Sequence, residues 1–212
     1  MTIAEIVDSR GITEVLHFTT HRGVTGILAS GVLRSRTALP QDEYLEFVRM
    51  NVCKDRSRDV QWHDYVNLSI TSINQRLFRI ARDNWHGSMP GWWCVVSFHP
   101  EILTHEGVWF TTTNNMYSGV KRAQEADGLE LMFSQRNHQY LTHFAQRNAD
   151  TPANQPTCYQ AEALYPCGIP IDYIQKFYLA DDDTAIKLES IIDVTPDCKP
   201  IPCEVDAAYF TT

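Results

Sequence analysis

Apolar positions along this chain recur in short segments, some at the spacing of a helix and others at that of a strand. Val24, Ile27 and Leu28 fall on one helical face, and Gly31 follows where such a helix would end. Segments rich in β-branched and aromatic residues and bounded by Gly, Pro or Asn are typical of strands instead. These patterns predict helices at residues 21–30, 42–52, 74–82 and 118–126, and strands at residues 12–18, 65–70, 92–98, 108–113, 129–133, 161–165 and 174–180.

One long segment departs from these patterns. Residues 134–157 are mostly polar and carry few large apolar side chains. A structureless segment of this length is uncommon in a compact domain and is often functional, so we predict a functional loop here. The mixed order of short strands and short helices around it favours an α+β fold over a doubly wound sheet.

The length of 212 residues is compatible with a single domain that spans residues 1–212 and buries a sizeable core. No apolar run approaches the ~20 residues that cross a bilayer, so no membrane partner is expected. The first residues lack the basic and then apolar order of a secretory signal. We therefore expect a cytoplasmic protein.

The cysteines give little sign of a metal site. Cys198 and Cys203 are separated by four residues, which is loose for a zinc knuckle. The expectation is reduced thiols and no bound metal. None of the six cysteines forms a C-x-x-C pair: Cys53, Cys94, Cys158, Cys167, Cys198 and Cys203.

The net charge of −8 argues against nucleic acid as a partner, because binding phosphate requires cations. The charge is unevenly distributed, however. Residues 181–212 hold eight acidic and two basic residues, whereas residues 49–82 hold seven basic and three acidic ones. The basic segment is compatible with a nucleic-acid surface or with an ordinary solvated face. The acidic segment could form a last strand around residues 191–194, or it could screen a site.

Two motifs far apart in the sequence carry the candidate chemistry. His17 and Thr19 alternate with apolar residues near the end of the first predicted strand. Glu162 follows Gln160 and lies in a predicted core strand, where a glutamate is awkward unless its side chain faces a cleft. No G-x-G-x-x-G follows a strand and no P-loop is present, so the ordinary dinucleotide and nucleotide folds are not supported.

Side chains of these types suit cleavage of the nicotinamide–ribose bond of NAD. The leaving group is already cationic, so the protein mainly has to stabilise positive charge on the ribose and deprotonate the incoming nucleophile. One glutamate can do both. An arginine can clamp the pyrophosphate, and a histidine and a threonine can hydrogen-bond the adenosine ribose.

The order and spacing of four motifs resemble those of the DarT family of DNA ADP-ribosyltransferases. The resemblance covers residues 15–180 and implies a modified ADP-ribosyltransferase fold, with a small split mixed β-sheet core and flanking helices. The motifs are His17-Phe18-Thr19, the helix end Gly26-Ile27-Leu28-Ala29-Ser30-Gly31-Val32-Leu33, Asp64-Tyr65-Val66 and Gln160-Ala161-Glu162.

The resemblance also implies an activity and partners. The family attaches ADP-ribose to a base of single-stranded DNA, so NAD is the expected co-substrate and single-stranded DNA the expected partner. It further implies a toxin that is paired with a macrodomain antitoxin, which removes the mark.

Individual roles follow from the same resemblance. Glu162 corresponds to the catalytic glutamate of the family, and Arg56 falls where the family has its catalytic arginine. Arg58 lies close enough to take that role instead. The residues expected to bind NAD are His17, Thr19, Arg56, Arg58 and Tyr65.

Residues 134–157 occupy the position of the family's substrate-recognition loop. Cations and aromatic rings in this loop suit a splayed base, since stacking on an aromatic ring contributes on the order of 1–3 kcal/mol per base. A base must also be unstacked to be modified, which favours a single strand. The residues expected to bind the substrate are Arg136, His138, Tyr140, His143, Arg147 and Gln160, with Phe144 as a further stacking surface.

Two departures from the family pattern change the expected details. Gly23 stands where the family helix usually carries asparagine, so one expected NAD contact is missing or replaced. After Asp64-Tyr65-Val66, the thymidine-modifying branch continues with proline and aromatic residues, whereas this chain has Asn67-Leu68. Guanine is therefore favoured over thymine as the target base.

Two other classes of function stay open on the sequence. The first is an enzyme of the same fold that modifies protein or RNA, or that hydrolyses NAD. The second is a single-strand nucleic-acid-binding module without catalysis, which would use the basic surface of residues 49–82.

Overall fold

The structure is a computed structural model, and it describes residues 1–39, 60–87 and 91–211. The helix predicted at residues 42–52 lies outside the described residues. So do Arg56 and Arg58, the two candidates for the catalytic arginine.

The described chain divides into two compact units. The first unit comprises residues 1–16, 67–74 and 99–166, and the second comprises residues 17–66, 75–98 and 167–212. Two strands contribute residues to both units. The prediction of a single domain stays a prediction.

The first unit is a sheet with two helices and a separate hairpin. Its elements are α1 (Ile3–Arg10), the start of β1 (Val15–Thr20), the end of β3 (Tyr65–Ile70), β5 (Trp109–Thr111), β6 (Arg122–Gln124), α4 (Glu125–Met132), the hairpin β7 (Arg136–Tyr140) and β8 (His143–Gln146), and β9 (Glu162–Pro166). The strands of the sheet follow the order β1-β3-β9-β5-β6. Strand β5 is antiparallel to both β9 and β6, and β1 is antiparallel to β3.

The second unit has its own strands in the order β12-β11-β4-β1, and a small pair of antiparallel strands, β2 and β10. Strand β11 is parallel to β12 and antiparallel to β4, so the pairing is mixed. The elements that complete this unit are α2 (His21–Ser30), β2 (Val32–Arg34), α3 (Gln75–Arg79) with a π-helical turn (Ile80–Trp85), β4 (Trp93–Phe98), β10 (Gly168–Pro170), β11 (Ile174–Leu179), α5 (Asp182–Val194) and β12 (Cys203–Val205).

Each unit buries apolar side chains of its own. In the second unit the ring of Phe78, which is 0% exposed, meets the rings of Phe18, Trp93 and Phe210 edge to face. Burial of one such side chain contributes about 1.5–3 kcal/mol. The fully buried side chains of the first unit include Ile6, Leu16, Leu68, Ile70, Phe110, Leu129 and Met132.

The first helix, α1, was not predicted, although the sequence contains a capping signal at each of its ends. The Thr2 hydroxyl accepts the backbone N–H of Glu5 at 3.2 Å, and the Glu5 carboxylate accepts the backbone N–H of Thr2 at 2.7 Å. This reciprocal pair is a capping box. Gly11 ends the helix at a φ of 65°, in the left-handed region that favours glycine.

Most of the predicted elements are confirmed. Residues 21–30 form a helix and residues 65–70 form a strand, with the predicted bounds. The helix predicted at 74–82 is present as α3 and its π-helical turn. The strands predicted at 12–18, 92–98, 108–113, 161–165 and 174–180 are present with shifted ends. The α+β fold class is therefore correct.

Two neighbouring predictions are wrong. Residues 118–126 do not form a helix, because residues 122–124 pair with β5 as strand β6. Residues 129–133 are not a strand, because α4 covers residues 125–132. Leu129 and Met132 are both buried and stand three residues apart, which is helical spacing.

Two further expectations change. The polar segment 134–157 is not structureless, because it contains the β7–β8 hairpin. Residues 191–194 do not form a last strand, since α5 extends through Val194. Leu188 and Ile192 are buried on one face of that helix. Among the described residues, no helix is long and apolar enough to cross a bilayer.

Candidate active site

Glu162 is a buried acidic residue at the start of a core strand. Its exposed fraction is 5%, and it stands opposite Thr111 in the pairing of β9 with β5. The Thr111 hydroxyl accepts the backbone N–H of Glu162 at 3.0 Å and donates to the carbonyl of Thr113 at 2.8 Å. The backbone that carries Glu162 is therefore fixed by the neighbouring strand.

The Glu162 carboxylate accepts three hydrogen bonds within the first unit. Asn67 Nδ2 donates to Oε1 at 3.2 Å, and Asn114 Nδ2 donates to the same oxygen at 3.4 Å. The backbone N–H of Asn115 donates to Oε2 at 2.7 Å. Donors aimed at a carboxylate favour its ionised form, and a buried charge needs such partners. We call Glu162, Asn67, Asn114 and Asn115 the carboxylate cluster.

The donors of the carboxylate cluster come from a strand and from a turn. Asn67 alternates with Val66 and Leu68, which are buried, so its side chain leaves the opposite face of β3. Asn114 and Asn115 lie in the connection between β5 and β6. Asn114 Oδ1 accepts the backbone N–H of Met116 at 3.0 Å, which shapes the turn.

Gln160 has a buried side-chain oxygen without a hydrogen-bond partner among the described residues. Its side chain is 3% exposed, and Nε2 donates to the Tyr117 hydroxyl at 3.3 Å. Oε1 is buried and has no hydrogen-bond partner among the described residues. A buried acceptor of this kind is unfavourable unless a ligand or water supplies a donor.

Cys158 is a free thiol near the cluster, but it is a poor nucleophile. It is fully buried, and its Sγ donates to the Thr113 hydroxyl at 3.4 Å. Burial raises the pKa of the Cys158 thiol. Because the thiolate is the reactive form, this thiol is expected to be inert.

The β7–β8 hairpin presents cationic and aromatic groups to solvent. The Arg136 guanidinium lies over the ring of Phe144 at 3.9 Å, and the ring of His138 meets Phe144 edge to face at 5.3 Å. Phe144 is 47% exposed and Tyr140 is 41% exposed. The ring of Tyr140 lies 5.1 Å from that of Tyr117, whose hydroxyl accepts from Gln160.

Two predicted substrate residues are held by the chain itself. The Nη1 of Arg147 donates to the carbonyl of Gln155 at 2.7 Å, and its Nη2 donates to the carbonyl of Ala153 at 3.3 Å. These bonds give Arg147 a structural role in the segment before Glu162. His138 Nε2 pairs with the carbonyl of Leu141. His143 is exposed.

The NAD-binding residues that the sequence predicts and the structure describes lie in the second unit. His17 is half-buried on β1, with its ring centroid 6.3 Å from that of Phe18 in a near-parallel arrangement. The ring of Tyr65 packs 5.3 Å from that of Trp62.

Thr19 accounts for the glycine that departs from the family pattern. A Cβ at position 23 would lie 2.0 Å from Thr19 Oγ1, so a side chain there requires Thr19 to move. The adjacent Thr20 caps α2 by accepting the backbone N–H of Gly23 at 3.4 Å. This chain thus has Thr19 in the space that a residue-23 side chain would need.

The predicted site residues that the structure describes belong to both compact units. Glu162, Gln160 and the hairpin residues belong to the first unit, whereas His17, Thr19 and Tyr65 belong to the second. The assigned roles of all these residues stay predictions.

Sequence reasoning missed the residues that hold the Glu162 carboxylate. The pair Asn114-Asn115 is typical of a turn, but a turn does not reveal where its donors point. Asn67 lies in a predicted strand, where packing and strand hydrogen bonding are the ordinary expectation. Its polar side chain between two buried apolar residues was the available signal.

Within the described ranges no group of three or more His, Cys, Asp or Glu residues could hold a metal ion.

A family profile and several solved structures indicate the same family. The sequence profile described as DarT, ssDNA thymidine ADP-ribosyltransferase, matches residues 16–211. A comparison with curated proteins finds no match.

Several solved structures share the fold at low sequence identity. The structure is similar to Thermus sp. 2.9 DarT in complex with NAD+, with 16% identity and a TM-score of 0.66 over 93% of this chain and 97% of that one. It is also similar to the same protein in complex with ADP-ribosylated ssDNA, with 15% identity and a TM-score of 0.64 over 94% and 97% of the two chains. Thermosipho africanus DarTG in complex with ADP-ribose matches with 16% identity and a TM-score of 0.57 over 93% of this chain and 51% of that one. With a family profile that covers residues 16–211 and a fold shared with these structures, the chain belongs to the DarT family.

Proposed function

We propose that this protein transfers ADP-ribose from NAD to a base of single-stranded DNA, with Glu162 as the catalytic carboxylate. The observation that carries the proposal is the buried Glu162 carboxylate with its three hydrogen-bond donors, in a chain of the DarT family. Burying a charged carboxylate costs free energy, and groups of this kind are often found at functional sites.

The proposed reaction needs one negative charge and one proton acceptor. The bond between C1′ of the ribose and the nicotinamide nitrogen breaks, and nicotinamide leaves as a neutral molecule with the bonding electron pair. Glu162 stabilises the positive charge that develops on the ribose. A ring or exocyclic nitrogen of the base then forms a bond to C1′, and the proton that it loses passes to Glu162.

NAD binding is assigned to residues of the second unit and of the undescribed segment. His17 and Thr19 are proposed to orient the adenosine ribose, and Tyr65 to contact the dinucleotide. Arg56 is proposed as the pyrophosphate clamp and second catalytic residue, with Arg58 as the alternative. NAD would be a co-substrate, and the reaction would use no metal, so EDTA should leave the rate unchanged.

DNA binding is assigned to the β7–β8 hairpin. Arg136 supplies a cation, and Tyr140 and Phe144 supply exposed rings on which bases can stack. His138 and His143 extend the same surface. The overall negative charge of the protein makes this local surface the expected point of contact.

The identity of the base rests on Gln160 and on the residues after Tyr65-Val66. The buried Oε1 of Gln160 calls for a hydrogen-bond donor, and guanine presents two adjacent donors, N1–H and the N2 amino group. Asn67 occupies the position where the thymidine-modifying branch has proline. We therefore favour guanine, although the family description names thymidine.

A toxin role is the last part of the proposal. Modified DNA bases would block replication, so the protein would act in the cytoplasm as the toxin of a pair whose macrodomain antitoxin removes the mark. Expression in a bacterial host should then arrest growth, and co-expression of the macrodomain partner should restore it.

The test uses a set of single-stranded oligonucleotides, each of which lacks one of the four bases. They are incubated with the protein and NAD, and their masses are measured. A gain of one ADP-ribose on every oligonucleotide except the one without guanine is the expected result. A gain that is lost only without thymine would retain the enzyme and replace the base.

The same experiment separates the other classes of function. NAD consumption without a mass gain on any DNA would favour an enzyme that modifies protein or RNA, or that hydrolyses NAD. Strand binding with NAD left intact would favour a non-catalytic binding module.

A further inference from the structure

We propose that Arg122 is a positioning residue for Glu162 and acts through Asn115. This inference rests on the proposed function, because it assumes that Glu162 is the catalytic carboxylate. It adds a residue that neither the sequence motifs nor the comparisons assign to the site.

Arg122 holds Asn115 at two atoms. Its Nε donates to Asn115 Oδ1 at 2.6 Å, and its Nη2 donates to the backbone carbonyl of Asn115. A planar guanidinium that donates twice to one residue fixes both the position and the orientation of that residue. Asn115 is 2% exposed, so its surroundings also limit its movement.

Asn115 in turn passes this constraint to the carboxylate. Its backbone N–H donates to Glu162 Oε2 at 2.7 Å, the shortest of the three bonds in the carboxylate cluster. Because the clamped carbonyl and the donating N–H belong to the same residue, a shift of Asn115 moves the donor away from Oε2. The Arg122 guanidinium thus determines where this donor lies.

The sheet places Arg122 and Glu162 in one row. Thr111 pairs with Glu162 on one side and with Arg122 on the other. Side chains of directly paired residues in an antiparallel sheet point to the same face. Two strand spacings amount to about 10 Å, which a long arginine side chain and one bridging residue can span.

The charges of the two side chains also favour the arrangement. Partial burial lowers the pKa of Arg122, while the Glu162 carboxylate acts in the opposite direction. An arginine stays protonated under all ordinary conditions, so it presents a permanent positive charge to this site. Such a charge favours the ionised carboxylate that the proposed transfer requires.

A purely structural role for Arg122 makes different predictions. If the residue only fastened the connection between β5 and β6, its loss would lower the melting temperature. It would leave the pH dependence of kcat unchanged in the protein that remains folded.

The test compares Arg122→Gln and Arg122→Lys with the control Lys121→Gln. Lys121 is the adjacent exposed cation, and its backbone exchanges hydrogen bonds with Thr112. The control therefore removes the same charge without breaking the clamp. Steady-state kcat and the KM for NAD are measured with a single-stranded oligonucleotide from pH 5 to 9, and folding is checked by circular dichroism.

We expect Arg122→Gln to lower kcat roughly 10- to 100-fold, because misplacing a reactive group by about 1 Å can cost about 100-fold in rate. The KM for NAD should change little, since the effect lies in the chemical step. The acid limb of the pH profile should move to higher pH, because the carboxylate loses a favourable charge. Arg122→Lys should restore the pH profile but not kcat, because an ammonium group cannot reproduce the two-point clamp.

Two results would overturn the inference. One is an Arg122→Gln protein whose kcat and acid limb match those of the wild type. The other is a change no larger than that of Lys121→Gln. If the wild-type protein fails to modify DNA, or if Glu162→Gln is fully active, the proposed function fails instead, and the two failures are thereby distinguished.

Discussion

The carboxylate cluster and the β7–β8 hairpin differ in residue type and in how far their side chains are exposed. Glu162 is 5% exposed, and its carboxylate accepts hydrogen bonds from groups of the protein itself. Tyr140 and Phe144 are 41% and 47% exposed, and their rings meet only a few neighbours in the same unit. The first region is organised by internal contacts, whereas the second leaves its rings exposed to solvent.

Substitutions in the two regions should therefore affect different steps of the reaction. A change in the carboxylate cluster disturbs preorganised hydrogen bonds around a charge and should act on the chemical step. A change in the hairpin removes a stacking or charged surface and should act on DNA affinity.

Among substitutions of the residues that donate to Glu162, Asn67→Asp should have the largest effect. The substitution replaces a donor to Glu162 Oε1, at 3.2 Å, with a second carboxylate. A lost hydrogen bond to a charged group and a new like charge together should lower kcat roughly 100-fold at neutral pH. Asn67→Ala, which only removes the donor, should lower kcat by about tenfold. Equal kcat values for the two variants in steady-state assays would show that charge at this position is irrelevant.

Arg147→Gln should act on stability, unlike Arg136→Gln. Because the Arg147 guanidinium donates to backbone carbonyls of residues 153 and 155, its loss should lower the free energy of unfolding by about 2 kcal/mol. Arg136 lies over an exposed ring, so its loss should leave stability nearly unchanged. Urea denaturation of both variants measures this difference.

The salt dependence of DNA binding should show the reverse order for these two arginines. Arg136→Gln should reduce the slope of log affinity against log salt by about one unit, as expected when one phosphate contact is lost. Arg147→Gln should leave that slope unchanged. A reduced slope for Arg147→Gln would instead support the substrate-binding role that the sequence predicts for it.

Tyr140→Ala should raise the KM for the oligonucleotide by about tenfold, because one stacked base is worth on the order of 1–3 kcal/mol. The rate of NAD turnover without DNA should stay unchanged, which separates this hairpin effect from an effect on the cluster. The matched control is Tyr159→Ala, since Tyr159 is similarly exposed at 37% and lies outside the hairpin. Equal KM values for both variants would remove the hairpin from DNA binding.

The smallest expected effect is a pH dependence of folding stability that comes from two histidines outside both regions. Burial lowers the pKa of His86, and burial followed by the nearby Arg22 lowers the pKa of His21. Both groups therefore bind protons less readily in the folded state. Their contribution to stability is fully present above the unfolded pKa of about 6.5, and it is lost as pH falls through the folded pKa.

Urea midpoints measured by tryptophan fluorescence between pH 5 and 8 test this pH dependence, because the two rings lie close to Trp92 and Trp93. His86→Gln and His21→Gln should each flatten the dependence. An unchanged slope in both variants would assign the acid sensitivity to other groups. With this pH dependence known, a loss of activity on acidification can be separated from unfolding.

The sequence predicted the core strands and α2 well, because their apolar spacing is clear and Gly31 marks a helix end. It failed at residues 118–133, where β6 is short and polar and depends on its partner strand rather than on its own pattern. It also failed at the hairpin, whose two strands lack buried apolar residues and pair with each other. Non-local pairing of this kind leaves little trace in local periodicity.

The sequence makes Glu162 a candidate but gives little sign of the groups around it. The short motif Gln160-Ala161-Glu162 resembles the family motif closely enough to propose this glutamate. The donors at Asn67, Asn114 and Asn115 are 95, 48 and 47 residues away from Glu162 in the sequence, so only the fold brings them to the carboxylate. Arg122 is one step further removed, because it reaches the carboxylate through Asn115.

The most direct test of the central claim is the mass of a guanine-containing single-stranded oligonucleotide after incubation with NAD and either wild-type protein or Glu162→Gln. The wild-type protein should add one ADP-ribose to the oligonucleotide. Glu162→Gln should fold normally and modify it at a rate at least roughly 100-fold lower. An oligonucleotide left unmodified by folded wild-type protein, or equal rates for the two proteins, would contradict the proposed role of Glu162.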